Sequence, residues 1–388
     1  MPNPSLTQLP EPGALARAHG ERVSALIRAE IERAGGWISF ARFMELALYA
    51  PGLGYYAAGS TKLGEAGDFI TAPELSPLFG ATLATQVAEL LAQTGGGILE
   101  LGAGSGRLAA DLLAGLRDHN CVPERYQILE ISPDLAQRQR GTLAQFVPGL
   151  LDRVEWIDSL PPEFSGVILA NEVLDALPIH LLAWKQAMIY ERGVSLEQSS
   201  FDWSERPLTP GPLRDAASAI AVEAPYLTEI SLAVPALVNA LGTVLRRGAL
   251  LFIDYGFGRA EYYHPQRSQG TLMCHYRHHA HGDPLFLPGL QDITAHVDFT
   301  GVAEAGIDAG LKLLGYTTQA RFLVNAGITQ LLQKSSPEHT QTYLPAAAAV
   351  QKLLSPAEMG ELFKVIALGR GIERAPSGFA GGDKSRLL

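Results

Sequence analysis

Short apolar runs alternate with amphipathic stretches through the middle of the chain, and this alternation predicts its architecture. Five runs of five to seven residues predict buried strands, and the stretches after the first two have the spacing of helices. Strands separated by helices form a parallel sheet covered on both faces. The predicted strands are residues 97–101, 126–131, 153–157, 166–170 and 248–254, and apolar runs at 316–324 and 362–368 complete a seven-stranded, Rossmann-like α/β sheet.

The regions outside this alternation predict an extension and two insertions. Helical spacing in residues 20–50 indicates an N-terminal helical extension over 1–74, which leaves 75–388 for the α/β domain. About 75 residues separate the fourth and fifth strands, more than one crossover helix needs. An insertion is therefore expected at about 176–225, with a hairpin at 181–196 that has residues 191–193 in its middle, followed by a crossover helix at 226–245. A second insertion is expected after the fifth strand, at 259–299. Because both insertions follow carboxyl ends of strands, we expect them to form a substrate-side lobe.

Composition narrows the class of protein. The 388 residues include 40 acidic and 30 basic side chains, and the formal charge of -10 disfavours nucleic acid as a partner. No apolar run is long enough for a membrane span, and the N-terminus has neither a signal core nor a transit pattern, which predicts a cytoplasmic protein without a membrane partner. Cys121 and Cys274 are too few for a disulfide framework.

The most informative local signal is the segment Leu-Glu-Leu-Gly-Ala-Gly-Ser-Gly-Arg at residues 99–107, which follows the first predicted strand. Glycines let a backbone turn tightly and approach a ligand at the start of a helix. Arg107 stands where the dinucleotide-binding pattern requires its last glycine, and no phosphate-binding GxxxxGK[ST] segment exists, so a dehydrogenase and a P-loop hydrolase are both disfavoured. We expect Glu100, Gly102, Gly104 and Gly106 to bind a cofactor, with an ordinary αβ turn as the alternative.

A second signal is the acid at the end of the second predicted strand. Glu130 follows the last loop glycine by 24 residues, a position from which a carboxylate can accept hydrogen bonds from both ribose hydroxyls of an adenosine. The alternative for a single residue is a solvated acid at a strand end. Together with the glycine loop, Glu130 favours ribose binding.

These residues, and further segments in the same order, resemble the MidA family of class I methyltransferases, which includes the mitochondrial complex I assembly methyltransferase. The segments are 67–74, 99–107, 171–178, 254–256 and 291–299. The resemblance implies S-adenosyl-L-methionine as cofactor and methylation of a protein arginine linked to respiratory complex I assembly. It also implies that Asp158 and Ser159 contact adenine, with ordinary turn chemistry as the alternative. Gly67 and Asp68 are expected to close over the cofactor, with a loop that has no ligand as the alternative. Without a targeting segment, the chain looks like a bacterial relative.

The carboxyl end of the fourth predicted strand supplies the candidate catalytic residues. If the chain continues as a helix after Asn171, Glu172 and Asp175 are three residues apart and lie on one face. Two carboxylates there can hold the N–H groups of a guanidinium in line with a cofactor methyl. The alternative is an acid pair that complements a helix dipole. The absence of Asn-Pro-Pro-Tyr argues against methylation of a base amine.

The second insertion is rich in histidine. Cys274, four histidines and Asp283 crowd residues 274–283, a set that could ligate zinc, but crowding along the chain does not ensure convergence and methyl transfer needs no metal. We therefore predict no metal site. A polar loop that covers the substrate is the preferred interpretation, with Glu74, His296 and Asp298 on the substrate side. A buried His–Asp pair without a ligand is the alternative.

Three functions remain open from the sequence. The resemblance favours a protein arginine methyltransferase whose partner is a protein substrate such as a complex I subunit. The second hypothesis is a small-molecule methyltransferase with a closed pocket, and the third is a non-catalytic assembly chaperone that retains the fold. The target arginine, the degree of methylation and the choice between monomer and homodimer are left open.

Overall fold

The computed structural model describes residues 9–58 and 71–388, and its contacts divide the chain into two compact units. The first unit comprises the described residues of Met1–Phe69 together with Asp175–Val234 and Arg259–His296. The second comprises the described residues of Ile70–Leu174 together with Pro235–Gly258 and Val297–Leu388. Each unit is built from segments that are far apart in the sequence.

Helices and strands are numbered along the chain over the described residues. The helices are α1 (Ala14–Arg33), α2 (Phe40–Tyr49), α3 (Ala72–Leu75), α4 (Pro77–Thr94), α5 (Arg107–Asp118), α6 (Pro133–Phe146), α7 (Pro212–Ser218), α8 (Ala233–Val244), α9 (Arg259–Tyr262), α10 (Phe299–Asp308), α11 (Gln319–Asn325), α12 (Ile328–Gln333) and α13 (Thr340–Leu354). The strands are β1 (Ile38–Ser39), β2 (Gly97–Leu101), β3 (Tyr126–Leu129), β4 (Val154–Ile157), β5 (Phe164–Asn171), β6 (His180–Lys185), β7 (Met188–Glu197), β8 (Ser200–Pro207), β9 (Tyr226–Ile230), β10 (Leu245–Phe257), β11 (Met273–Tyr276), β12 (His279–His281), β13 (Asp292–Thr294), β14 (Val297–Asp298), β15 (Lys312–Thr318) and β16 (Phe363–Arg370).

The second unit contains the predicted α/β sheet. Its strand order is β15-β16-β10-β5-β2-β3-β4, in which β10, β5, β2, β3 and β4 are parallel neighbours and β16 is antiparallel to both of its neighbours. Among the described residues, the short strand β14 pairs with the end of β10 and adds an eighth strand, which the predicted count of seven misses. From β2 the chain proceeds to β3 on one side and returns to β5 on the other. The crevice at the carboxyl ends of β2 and β5 is therefore the place where a ligand is expected.

The helices of this unit begin where local chemistry places them. Ser132 caps α6 by accepting a hydrogen bond from the Leu135 N–H (3.4 Å), and Pro133 takes the first helical position, as the sequence predicts. The close approach of α4 and α5 depends on two glycines: a Cβ on Gly80 would lie 2.6 Å from Asp111 Cβ, and one on Gly115 would lie 2.6 Å from Ala84 Cβ. This packing covers the apolar core above β2 and β5.

The first unit has its own apolar core. Val23, Ile27 and Ile31 recur every four residues on α1 and are fully buried. Ser39 caps α2, because its hydroxyl accepts from the Arg42 N–H (3.2 Å). Among the described residues, β1, β7, β6 and β9 form one antiparallel sheet with β8 beside β7, and β12, β11 and β13 form a second, three-stranded sheet.

Three predicted elements are wrong in detail. The predicted helix at 226–245 begins as the strand β9, which pairs with β6. Tyr226, Thr228 and Ile230 alternate along this strand and are buried. The hairpin turns at Gln186 and Ala187 and not near Gly193, where a Cβ would lie 2.2 Å from the Ile38 carbonyl oxygen. The predicted strand at 316–324 ends at residue 318, the N-cap of α11. Helical spacing and buried alternation are easily confused over such short runs.

Candidate functional site

The glycine loop between β2 and α5 has the backbone that its sequence suggests. Gly102, Gly104 and Gly106 all have left-handed φ values, +61°, +55° and +81°. A Cβ on Gly106 would lie 2.9 Å from Gln139 Cα, and one on Gly102 would lie 3.0 Å from Val173 Cγ2. Side chains at these two positions would therefore collide with the neighbouring segments.

Glu130 directly follows β3 and faces a cleft of about 740 Å³. One oxygen of its carboxylate accepts from the Ser132 N–H (2.8 Å) and the other from Gln139 Nε2 (2.9 Å). A carboxylate oxygen has two lone pairs, so each oxygen retains one for a further donor. Burial raises the pKa of Glu130, and hydrogen bonds to its carboxylate partly offset this effect. The geometry suits a ligand with two adjacent hydroxyl groups.

Gln139 is a site residue that the sequence analysis missed. Its side chain is fully buried and donates from Nε2 to the Gly104 carbonyl oxygen (3.1 Å) as well as to Glu130, while its Oε1 accepts from Trp156 Nε1 (2.9 Å). It thus joins the glycine loop, the acid after β3 and the strand β4. Glutamine on the apolar face of α6, between Ala136 and Leu143, was the available signal.

Asp158 and Ser159 line the same cleft as Glu130, so the structure brings these three predicted residues together. The Ser159 hydroxyl donates to Asp158 Oδ1 (3.0 Å). The cleft also has apolar walls: Ile131 is 64% exposed, and Trp156 lies beneath the Arg140 guanidinium, 4.3 Å from ring centroid to Cζ. A flat apolar slot with polar groups at its rim suits a heteroaromatic ring.

Glu100 is arranged differently from Glu130. It is 2% exposed, and its Oε2 accepts a hydrogen bond from the Tyr126 hydroxyl (2.7 Å). Burial raises the pKa of Glu100 to about 7, although the Tyr126 hydrogen bond lowers it in part. Its carboxyl group supports the strand from which the glycine loop starts, and a direct cofactor contact stays a prediction.

The residues preceding α4 are only partly described. Gly67 and Asp68 lie outside the described residues. Glu74, which was expected on the substrate side, accepts a hydrogen bond from the Ser105 hydroxyl and so contacts the glycine loop. Glu74 contacts this loop because the short helix α3 places it beside Ser105. On the same helix, the Ala72 N–H donates to Glu172 Oε1, just after β5.

The chain leaves β5 without forming the predicted helix. Glu172 has a φ of +53°, a left-handed conformation that stops a helix, and its N–H donates to the Ile253 carbonyl oxygen (2.9 Å). The N–H groups of Val173 and Leu174 then donate to Asp254 Oδ2 at 3.2 and 2.9 Å. With these donors held by the neighbouring strand β10, a turn replaces the helix.

Two consequences follow for the candidate catalytic residues. Residues 172–175 form no helix, so Glu172 and Asp175 do not share a helix face and the helical argument that paired them is wrong. The assignment of both residues as catalytic stays a prediction. Asn171 and Glu172 do stay together: Glu172 Oε1 accepts from Asn171 Nδ2 (3.0 Å) and from the Ala72 N–H (3.4 Å). Asn171 Oδ1 is buried and has no hydrogen-bond partner among the described residues.

His296 and Asp298 make different backbone contacts, and their place on the substrate side stays a prediction. His296 belongs to the first unit, where its N–H donates to Thr271 Oγ1 (3.1 Å). Asp298 belongs to the second unit and caps α10 by accepting from the Thr300 N–H (3.0 Å). A helix cap accounts for this carboxylate.

The histidine-rich segment forms the strands β11 and β12, in which Cys274 pairs with His281. Over residues 9–58 and 71–388, no group of three or more His, Cys, Asp or Glu side chains is arranged to hold a metal ion. Nor is any described helix both long and apolar enough to cross a membrane.

Comparison with known proteins places these features in a family. Residues 82–317 match the model of a family described as S-adenosyl-L-methionine-dependent methyltransferases. The chain is 30% identical over 367 residues to "Protein arginine methyltransferase NDUFAF7, mitochondrial" of Danio rerio, covering 85% of this chain and 83% of that protein. It is 29% identical to the Caenorhabditis elegans homolog of the same name, over 78% of this chain and 76% of that protein.

A solved structure resembles almost the whole chain. The crystal structure of a Burkholderia thailandensis protein bound to S-adenosyl-homocysteine is 52% identical, with a TM-score of 0.96, and the match covers 98% of this chain and 100% of that chain. A native crystal structure from the same organism has a TM-score of 0.93 at the same identity and coverage. The fold with its mixed sheet is therefore that of class I methyltransferases.

Proposed function

The chain belongs to this family of S-adenosyl-L-methionine-dependent methyltransferases, and from that premise we propose that it methylates the guanidinium group of an arginine in a protein. The relatives named as protein arginine methyltransferases, at 28–30% identity, support the choice of acceptor. The resemblance to the MidA family extends the proposal to a subunit of respiratory complex I as the acceptor protein.

The residues of the cleft fit the cofactor. Glu130 keeps one lone pair on each oxygen for the two ribose hydroxyls, and Ile131 and Trp156 offer apolar surface to adenine. Gly102 and Gly106 let the loop pack against Val173 and Gln139 in a left-handed backbone that a side chain would disturb. S-adenosyl-L-methionine supplies a methyl group bound to a sulfonium sulfur.

The observation that carries the proposal is the pair Asn171 and Glu172 at the end of β5, next to the glycine loop at the topological switch point. A non-glycine residue with positive φ in such a crevice is typical of functional sites. Arginine remains protonated at neutral pH, so the chain must orient it without deprotonating it first. In this proposal the Glu172 carboxylate accepts N–H groups of the guanidinium. Asn171 Oδ1, which has no partner among residues 9–58 and 71–388, accepts another. Alignment of one nitrogen with the methyl group supplies most of the rate, and Glu172 takes up the proton that this nitrogen releases.

Mass spectrometry of the proteome with and without this protein tests the function directly. The expected result is one arginine that loses its methyl mark when the protein is absent. An unchanged set of methylarginines together with a methylated metabolite would replace the proposal with a small-molecule methyltransferase. Cofactor binding without any methylated product would favour the assembly chaperone.

The role of Glu172 is tested with Glu172→Gln, which preserves side-chain volume. We expect methyl transfer to fall by on the order of 10²-fold, while the affinity for S-adenosyl-homocysteine stays within about twofold. Glu163→Gln is the matched control, because this exposed acid precedes the opposite end of β5. Transfer at the wild-type rate by Glu172→Gln would contradict the assigned role, and lost cofactor binding would move Glu172 to the cofactor site.

A further inference from the structure

Two carboxyl groups are buried close together in the first unit. Asp175 is 5% exposed and Asp292 is 3% exposed. Burying carboxyl groups is unfavourable unless donors or cations stabilise them. One donor is the hydroxyl of Tyr56, 2.7 Å from Asp292 Oδ1. The site is thus rich in acceptors and negative charge.

Three segments of the first unit meet at this position. The Tyr49 hydroxyl, at the end of α2, donates to the Ala176 carbonyl oxygen (2.9 Å), and the Ala295 N–H donates to the Asp175 carbonyl oxygen (3.0 Å). The rings of Tyr49 and Tyr56 are stacked, with centroids 5.6 Å apart and planes at 26°. Burial raises the pKa of both tyrosines, and the nearby Asp175 and Asp292 carboxylates raise it further. The acids and the aromatic rings therefore share one environment.

An independent observation is a buried hydroxyl on the same strand as Asp292 that has no partner among the described residues. Thr294 is 2% exposed, and its Oγ1 has no hydrogen-bond partner among residues 9–58 and 71–388. It follows Asp292 by two residues on β13, and alternate residues of a strand point to the same face. The hydroxyl of Thr294 therefore lies on the Asp292 side of the strand. Buried polar atoms are nearly always paired, so this hydroxyl leaves a hydrogen-bonding position for a ligand.

We infer that Asp175, Asp292, Tyr49, Tyr56 and Thr294, here called the acidic pocket, bind a guanidinium group of the acceptor protein. The inference rests on the proposed function and assigns it a recognition site in the first unit. A guanidinium is planar, carries five N–H donors and stacks on aromatic rings, so it matches carboxylates, a hydroxyl and tyrosine faces at once. An ammonium group has only three donors and no plane to stack.

The pocket is tested in the full chain by chemical-shift titration with N-ethylguanidinium, with N-ethylurea as the neutral analogue. Asp292→Asn removes the charge but still accepts from the Tyr56 hydroxyl, so the fold should persist. We expect at least about tenfold weaker N-ethylguanidinium binding by Asp292→Asn. Asp202→Asn, an exposed acid on β8 of the same unit, is the matched control and should bind as the wild type does.

Wild-type affinity in Asp292→Asn, or equal binding of N-ethylurea, would overturn the inference. Thr294→Val, which is nearly isosteric, supplies a second variant and should also weaken binding. In assays with the methylated protein, Asp292→Asn should raise KM for the acceptor at unchanged affinity for S-adenosyl-homocysteine, whereas an unchanged KM would count against the pocket. The proteome comparison uses no guanidinium ligand. If the proteome lacks the expected methylarginine, the proposed function is overturned, and the titration still decides whether the pocket binds a guanidinium. If that methylarginine is present but the titration fails, the pocket alone is overturned.

Discussion

Replacement of Glu130 by glutamine tests the cofactor cleft most directly. The change keeps the volume of the side chain but removes its charge and one acceptor oxygen. In the wild type each oxygen already accepts one hydrogen bond, from the Ser132 N–H and from Gln139 Nε2. The amide group of glutamine must face one of these donors with its own N–H groups. The variant therefore cannot satisfy both neighbours and also accept from two ribose hydroxyls.

The expected magnitude follows from this count. A hydrogen bond to a charged group contributes about 1.5–3 kcal/mol, and the lower end applies here because Glu130 is only partly buried. Two such bonds amount to about 3 kcal/mol, which corresponds to roughly a hundredfold change in dissociation constant. The affinities of the variant for S-adenosyl-L-methionine and for S-adenosyl-homocysteine should fall by a similar factor, since both ligands carry the ribose.

Calorimetric titration of S-adenosyl-homocysteine into each variant measures this effect. Glu155→Gln is the control, because Glu155 is exposed on the next strand and does not line the cleft. Urea unfolding of both variants separates lost binding from lost stability. An affinity of Glu130→Gln within twofold of the wild type, with intact folding, would refute the assignment of Glu130 to the ribose.

The same variant has a pH signature. Burial raises the pKa of Glu130 above its ordinary 4.5, and only the ionised form accepts from both hydroxyls. As the pH falls through this raised pKa, the wild type should lose affinity for S-adenosyl-homocysteine. Glu130→Gln should lack that loss, and a parallel loss in both proteins would show that another group titrates.

Three further predictions concern the support of the site. The pKa of Glu100 is about 7 in the folded chain and 4.5 in the unfolded chain, so folding favours its protonated form and stability is lost as the pH rises through 7. Urea titrations should find Glu100→Gln more stable than the wild type by up to about 3 kcal/mol at pH 8. Near pH 5 this gain should vanish. Gly106→Ala should abolish S-adenosyl-homocysteine binding in calorimetry, because its Cβ would press on Gln139. The control is Gly141→Ala, at an exposed helix position where a Cβ has no atom within 4 Å. It should bind normally, and its free energy of unfolding should rise by about 0.5–1 kcal/mol. Asp254→Ala leaves two backbone N–H groups after β5 without their acceptor and should lower the free energy of unfolding by about 2–4 kcal/mol, and a change below 0.5 kcal/mol would contradict its role.

Much of the cofactor cleft could be predicted from the sequence because its signals are local. An apolar run followed by glycines specifies a buried strand and a turn that only glycine adopts easily. This pattern predicts that Gly102, Gly104 and Gly106 form the turn after β2, where they have positive φ values. The N-cap Ser132 and the strand-end acid Glu130 follow from similarly short patterns. Parallel strands place their carboxyl ends at one edge of a sheet, so these segments meet without any further information.

The remaining site depends on contacts between distant segments. The turn after β5 exists because Asp254, 80 residues later than Leu174, accepts its N–H, and no helical spacing in residues 171–178 reports that partner. Gln139 joins the loop to Glu130 only once α6 packs beside α5. Asp292 meets Tyr56 across 236 positions of chain. Local patterns set the elements and their ends, but burial and long-range hydrogen bonds, which only the tertiary structure creates, decide which polar groups share a site.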